Sequence, residues 1–200
     1  MDPEQMTAFL DLYTEEPVLG SDSRFFREAG VAFGRPTVGP VADDELPALA
    51  RRRPDLARLR FTLVVLPFDL QDLAAGQHYV ETTVRMIFDS PDVRSLLLAR
   101  PSGRVGDDSD INTWGVGRGE LTWKLTARSE RVGIRPSGRE VLAVLESPLA
   151  CDRLTGTLDA KVRFTRRLLG VASQAVAEPR RPLRFALNVT DGAFEAVPDQ

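Results

Sequence analysis

Apolar and polar residues alternate with a period of two along most of the chain beyond residue 60. The clearest example is LTGTLDAKVRFT, residues 154–165, where leucine, glycine, alanine, valine and phenylalanine occupy one face and threonine and charged residues the other. This alternation places one set of side chains on each side of an extended strand, whereas a helix repeats its faces about every 3.6 residues. The segment is therefore predicted to be a strand with one buried face.

The same period recurs in HYVETTVRMIFDS and ELTWKLTAR, whereas RFTLVVLPFDL is apolar on both faces and REVLAVLES is predicted to be a more buried strand. Further strands are predicted in VRSLLLARPSG, LRFALNV and AFEAV. Turn-forming residues separate these segments, and no helical pattern lies between them. About eight short strands arranged in this way are typical of an antiparallel sandwich, in which each sheet has one face in the core and one in water. The fold class is predicted to be mainly β, an antiparallel β-sandwich.

The first 58 residues show a different pattern. Four apolar residues recur there at helical spacing: Met6, Phe9, Leu10 and Tyr13. This spacing predicts a short helix, and SDSRFFREAG and DDELPALARRRPDLARLR are predicted to add further helical turns. We therefore expect a helical and looped N-terminal extension over residues 1–58 and a β-sandwich domain over residues 59–200.

The composition is that of an ordinary globular protein, with 42% hydrophobic and 28% charged residues. No apolar run reaches the roughly 18 residues that a membrane-spanning helix needs, and the N-terminus is acidic, unlike a signal peptide. Cys151 is the only cysteine, so no intramolecular disulfide can form. These features predict a cytoplasmic protein, and the predominance of arginine over lysine suggests a bacterial source.

Basic residues are frequent in the second half of the chain, including Lys161, Arg163, Arg180 and Arg181. Such a surface could meet anionic phospholipid, nucleic acid or an acidic protein. Aromatic residues that could stack on bases are scarce there, and the formal net charge of the whole chain is -3, so nucleic acid is not favoured. A protein partner or a second copy of the chain is the favoured interpretation.

The segment GDDSDINTWGVGRGELTWKL carries the strongest candidate for a metal site. Asp107, Asp108 and Asp110 could supply oxygen ligands to calcium, although their spacing does not match the helix-loop-helix calcium motif. A solvated acidic turn is the competing interpretation. The glycines that follow lack the lysine of a phosphate-binding loop, so they are expected to shape a hairpin or bulge.

No catalytic constellation is apparent in the sequence. His78 is the only histidine, and nothing in the sequence brings it near Cys151. We therefore expect that the chain is not an enzyme and that it needs no cofactor.

The function predicted from these features is a non-catalytic protein–protein interaction or assembly module. Its partner-binding residues would be Met6, Phe9, Leu10 and Tyr13. The alternative is a ligand- or calcium-dependent binding β-sandwich that uses the loop from Asp107 to Trp114. A membrane-spanning β-barrel would also give alternating strands, but soluble sheets produce the same pattern, and these strand faces are not unusually free of charge.

Overall fold

The computed structural model describes residues 6–16, 23–41, 46, 55–99, 108–136, 138–168 and 171–197. Within these ranges the chain forms thirteen β-strands and one short 3-10 helix, Leu56–Arg58. The strands are β1 (Met6–Glu16), β2 (Arg24–Gly34), β3 (Thr37–Pro40), β4 (Leu59–Leu70), β5 (Tyr79–Phe88), β6 (Arg94–Ala99), β7 (Ser109–Trp114), β8 (Glu120–Ala127), β9 (Arg139–Pro148), β10 (Arg153–Leu168), β11 (Val171–Ala177), β12 (Leu183–Asn188) and β13 (Phe194–Val197).

The strands form two antiparallel sheets. The six-stranded sheet has the order β1-β2-β4-β9-β6, with β3 also paired to β4. The seven-stranded sheet has the order β13-β12-β10-β5-β8-β7, with β11 also paired to β10. The predicted mainly β, antiparallel architecture is confirmed, and the two sheets enclose a shared core as in a sandwich.

The alternation read from the sequence matches the burial of the strands. On β10, five apolar residues of one face are each no more than 2% exposed: Leu154, Leu158, Ala160, Val162 and Phe164. Trp123 of β8 is 1% exposed, and its indole N–H donates to the Leu142 carbonyl at 3.2 Å. The buried Tyr79 hydroxyl likewise donates a hydrogen bond to the Gln71 carbonyl at 2.7 Å.

Burial, with a smaller contribution from Asp72, raises the pKa of Tyr79 above its ordinary value.

The predicted N-terminal helix is wrong, because residues 6–16 form strand β1. Leu10 and Leu12 are buried in the core, whereas Phe9 and Tyr13 lie on the opposite face of the strand. The predicted helical turns in SDSRFFREAG are also wrong, since this segment contributes to β2. Apolar residues three and four positions apart fit one side of a helix, but pairing with β2 gives β1 its hydrogen bonds as a strand.

The described part of residues 1–58 is therefore built into the six-stranded sheet. Strands β2 and β3 both pair with β4, and Leu12 and Phe33 belong to the same core cluster as the strands that follow. Much of the second predicted helix, DDELPALARRRPDLARLR, lies outside the described residues. Its described end forms the 3-10 helix and the first residues of β4.

Strands β11 and β12 lie end to end along one side of β10. Strand β11 pairs with Val162–Leu168 and β12 with Arg153–Leu158. Between them, the chain segment 178–182 leaves the sheet, and we call this segment the Pro-Arg-Arg-Pro bulge after residues 179–182. It begins at Glu178, whose backbone pairs with Tyr13 of β1 through hydrogen bonds of 2.9 and 3.1 Å.

The two sheets are thus joined along both sides of the sandwich. On the bulge side, Arg166 of β10 also contacts Glu16 at 2.7 Å and Glu28 at 3.4 Å on the other sheet. The hydrogen bond to Glu16 raises the pKa of Arg166, an effect that burial partly opposes. On the far side, the Ser95 backbone bonds to the turn after β7, with Gly117 N to Ser95 O at 2.7 Å.

We expect Leu12→Ala to lower the free energy of unfolding by about 3 kcal/mol, because it leaves a cavity in the core. Glu15→Ala, three residues along the same strand but exposed, should change it by less than about 0.5 kcal/mol. Guanidinium denaturation of the two variants measures the difference. Equal, small effects would show that β1 does not belong to the core.

Candidate functional site

The acidic loop predicted to bind calcium is engaged by arginines. The Asp108 carboxylate accepts hydrogen bonds from Arg139 Nη2 at 2.5 and 2.7 Å and from the Arg135 backbone N–H at 2.6 Å. The Asp108 and Arg139 side chains are only 9% and 11% exposed. Asp110 pairs with Arg128 at 2.8 Å. Asp108 and Asp110, the two aspartates of this loop that the structure describes, therefore each have a cationic partner.

Asp107, the third predicted ligand, lies outside the described residues. Among the residues that the structure describes, no group of three His, Cys, Asp or Glu side chains could hold a metal ion. The calcium site stays a prediction, and the structure shows Asp108 in a different role. It ties the start of β7 to the start of β9 across the two sheets.

The glycine-rich turn after β7 has a structural explanation. Gly115 and Gly117 have φ angles of 115° and 79°, in the region that favours glycine. Trp114 at the start of this turn is 53% exposed, whereas Trp123 is buried. The turn connects the two sheets through Ser95 of β6, whose hydroxyl donates a hydrogen bond to the Gly115 carbonyl at 2.8 Å.

His78 and Cys151 each have local partners. The His78 ring contacts Thr165 Oγ1 at 3.3 Å and the Glu130 carbonyl, so it links β10 to the loop that follows β8. The Cys151 thiol contacts the Arg153 carbonyl at 3.4 Å in the turn between β9 and β10. These contacts fix local structure.

Most charges on the outer face of the seven-stranded sheet occur as opposite pairs. Glu81 lies 2.8 Å from both Lys124 and Arg163, and Arg85 lies 3.0 Å from Asp159. Further pairs join Lys161 to Glu178 at 3.0 Å and Arg184 to Asp89 at 2.8 Å. The basic character of the second half of the chain is therefore largely neutralised on this face.

Arg180, in the Pro-Arg-Arg-Pro bulge, differs from these residues. Its guanidinium carbon lies 4.9 Å from the centre of the Phe25 ring, in a cation–π arrangement. Within the part of the chain that the structure describes, Arg180 makes no ion pair or hydrogen bond through its side chain. Its N–H groups are available to an anion.

Two exposed apolar side chains, Phe25 and Val176, lie close to Arg180. Phe25 is 45% exposed and Val176 is 44% exposed, both large fractions for hydrophobic side chains. Together with Tyr13 and Pro179 they surround Arg180 at the junction of β1, β2 and the bulge. We call these five residues the corner site: Tyr13, Phe25, Val176, Pro179 and Arg180.

Two shallow cavities flank Arg180. The first has a volume of about 460 Å³ and is lined by Leu10, Asp11, Tyr13, Pro179, Arg180 and Arg181. The second has a volume of about 480 Å³ and is lined by Tyr13, Glu15, Phe25, Lys161, Val176, Glu178, Pro179 and Arg180. Tyr13, Pro179 and Arg180 line both cavities, so the two cavities adjoin at these residues.

The predicted partner-binding residues are only partly brought together. Tyr13 belongs to the corner site, and Leu10 lines the first cavity although it is 6% exposed. Phe9 lies on the same outer face with Arg27 above its ring at 5.7 Å, and Met6 is 46% exposed at the start of β1. Their role in binding a protein partner or a second copy stays a prediction.

No family model and no curated protein matches this chain. Similar solved structures include Clostridium perfringens delta-toxin, with a TM-score of 0.49, 8% identity and 96% of each chain covered. A structure described as a pore forming protein has a TM-score of 0.43 and 6% identity over 93% of this chain and 100% of its own. Clostridium perfringens NetB toxin in its membrane-inserted form has a TM-score of 0.41 and 6% identity over 95% and 100%.

On this comparison, the predicted interaction or assembly module and its cytoplasmic location are wrong. The similar structures are named as toxins and as a pore forming protein, and one is in a membrane-inserted form. The alternative in the same functional prediction, a ligand- or calcium-dependent binding β-sandwich that uses the loop from Asp107 to Trp114, is withdrawn with it, whereas the proposed ion ligands themselves stay untested. At 6–8% identity and TM-scores below 0.5, these likenesses do not show what this chain binds. In the described ranges, no helix is long and apolar enough to cross a bilayer.

We expect Asp108→Ala to lower the free energy of unfolding by about 3 kcal/mol, because it breaks the largely buried ion pair with Arg139. Asp110→Ala removes an exposed pair and should cost less than about 1 kcal/mol. Denaturant titration of both variants without added metal tests this assignment. A negligible loss for Asp108→Ala would contradict it.

Proposed function

We propose that this chain is a non-catalytic membrane-binding protein that attaches to anionic phospholipid bilayers through the corner site. The observation that carries the proposal is the Arg180 guanidinium, which lies over the exposed Phe25 ring without an ion pair among the described residues. A cation beside an exposed aromatic ring suits the boundary between lipid headgroups and hydrocarbon.

The two kinds of side chain have complementary tasks at such a boundary. Phe25 and Val176 can leave water for the upper part of the acyl chains, which favours binding in proportion to the apolar area they bury. Arg180 can remain at headgroup level and donate hydrogen bonds to phosphate oxygens, a geometry that the planar guanidinium fits well. Attraction to anionic lipid adds to both effects.

The scaffold holds these groups in place before any lipid arrives. Pro179 and Pro182 fix the backbone on either side of the two arginines, and the Tyr13–Glu178 bridge anchors the bulge to β1. Phe25 stands on β2, whose partner β1 carries Tyr13. Because the site need not be ordered on binding, little of the binding energy is lost to conformational entropy.

Cosedimentation with vesicles tests the proposal. We expect the chain to bind vesicles of phosphatidylcholine and phosphatidylserine more strongly than vesicles of phosphatidylcholine alone, and to lose binding as salt screens the charges. Phe25→Ala should weaken binding roughly tenfold through lost apolar burial. Arg180→Ala should weaken it about fivefold through the lost charge.

Two control variants make the result specific to the corner site. Arg153→Ala changes the net charge as Arg180→Ala does, but Arg153 is already paired with Glu195 at 3.2 Å and lines neither cavity. Leu149→Ala removes an apolar side chain that is 52% exposed in the turn after β9. Both should bind vesicles nearly as the unmodified chain does. Absence of vesicle binding by the unmodified chain, or equal losses in all four variants, would overturn the proposal.

A further inference from the structure

Strand β2 is supported by its own sheet along only part of its length. It pairs with β4 at residues 31–33, whereas it pairs with β1 along its whole length. At residues 24–30, which include Phe25, no strand in the described part of the chain pairs with the other edge of β2. The position of Phe25 relative to Arg180, which belongs to the bulge of the seven-stranded sheet, therefore depends on contacts between the two sheets.

A β-bulge at Glu28 determines which aromatic side chain reaches the corner site. The register of β1 against β2 shifts by one residue just after Leu12, where Glu28 is the extra residue of β2. Beyond this bulge, Phe25 stands opposite Glu15. A regular ladder would have placed Phe26 there instead, because a shift of one residue exchanges the two faces of a strand.

Arg166 of β10 engages this bulge residue from the opposite sheet. Its guanidinium lies 2.7 Å from Glu16 and 3.4 Å from Glu28, and Glu28 also accepts a hydrogen bond from the Thr14 hydroxyl at 3.3 Å. The side chains of Arg166 and Glu28 are 27% and 17% exposed. Water and salt screen such partly buried charges less than they screen fully exposed ones. Arg166 thus ties both β1 and β2 to β10.

We infer, on the basis of the proposed function, that Arg166 is a positioning residue of the corner site. By holding Glu16 and Glu28, it keeps the Phe25 ring of one sheet against the Arg180 guanidinium of the other. Arg166 need not touch the lipid in this role. Without it, part of the binding energy would be spent on bringing the ring and the guanidinium together.

Neutralising the two carboxylates separates positioning from general attraction to negative charge. The double variant Glu16→Gln and Glu28→Gln removes two negative charges, so general attraction alone would strengthen its binding to anionic vesicles. We expect instead that it binds vesicles of phosphatidylcholine and phosphatidylserine about threefold more weakly than the unmodified chain does, because its corner site must be ordered on binding.

A second double variant, Asp89→Asn and Glu195→Gln, is the matched control. It removes the same charge from two ion pairs outside the corner site, those with Arg184 and Arg153. It should bind vesicles at least as tightly as the unmodified chain does.

Nuclear magnetic resonance reports the position of Arg180 without any lipid. An aromatic ring shields protons that lie over its face, so the side-chain protons of Arg180 should resonate upfield of their position in Phe25→Leu, which lacks the ring. We expect the Glu16→Gln and Glu28→Gln variant to lose most of this upfield shift. The control variant should keep it.

Arg166→Lys keeps the test decisive if the double variant loses the β-sheet circular dichroism of the unmodified chain. Lysine retains the positive charge but replaces the planar fork of the guanidinium with a single ammonium group. It should therefore hold one of the two carboxylates less well and lose part of both the upfield shift and the vesicle binding.

The outcomes distinguish this inference from the proposed function. An unchanged upfield shift with unchanged or tighter vesicle binding would overturn the inference and leave membrane binding in place. Loss of the shift without weaker binding would also overturn it, because the arrangement would then not serve the membrane. Absence of vesicle binding by the unmodified chain would overturn the proposed function, and the inference with it.

Discussion

The pairing of β10 with two strands laid end to end constrains the whole bulge side of the molecule. Three residues of β10, 159–161, stand opposite five residues, 178–182, because Val162 pairs with Ala177 and Leu158 with Leu183. Two residues more than the ladder can hold must therefore leave the plane of the sheet. The departing backbone pairs at Glu178 with Tyr13 of the opposite sheet. The corner site is the structural consequence of this excess length.

Proline at both ends of the bulge explains why the chain leaves the ladder at this point. Neither Pro179 nor Pro182 can donate a hydrogen bond to β10, so pairing there would be incomplete in any case. The two arginines between them are consequently directed away from the sheet interior. A regular strand would have alternated them between the core and the outer face, and one guanidinium would have met the apolar core.

The sequence was sufficient to predict the sheets, because burial of one strand face requires an alternation that is visible locally. It was insufficient for β1, since Phe9, Leu10 and Tyr13 fit a helical face as well as they fit a strand whose partner lies elsewhere. The candidate site was predicted only through Tyr13. Arg180 could be counted among the basic residues, but nothing local distinguishes it from Arg163, whose partner Glu81 is 82 residues away. Whether an arginine is neutralised is decided by the topology, and so is the distance between Phe25 and Arg180.

Arg27 and Arg180 make the same kind of aromatic contact but differ in whether a carboxylate pairs with them. Both guanidinium groups lie over a phenylalanine ring, at 5.7 Å above Phe9 and 4.9 Å above Phe25. Arg27 also pairs with Asp11 on the adjacent strand and reaches Gln71 at 3.2 Å, so it joins elements of one sheet. Arg180 has the same aromatic contact without a carboxylate partner among the described residues. An exposed ion pair contributes little to stability, so an unpaired arginine here costs the fold little. Because this cost is small, the fold can keep the Arg180 charge available for a ligand. On the outer face of the seven-stranded sheet most charges are already paired, so we expect binding at the corner site instead.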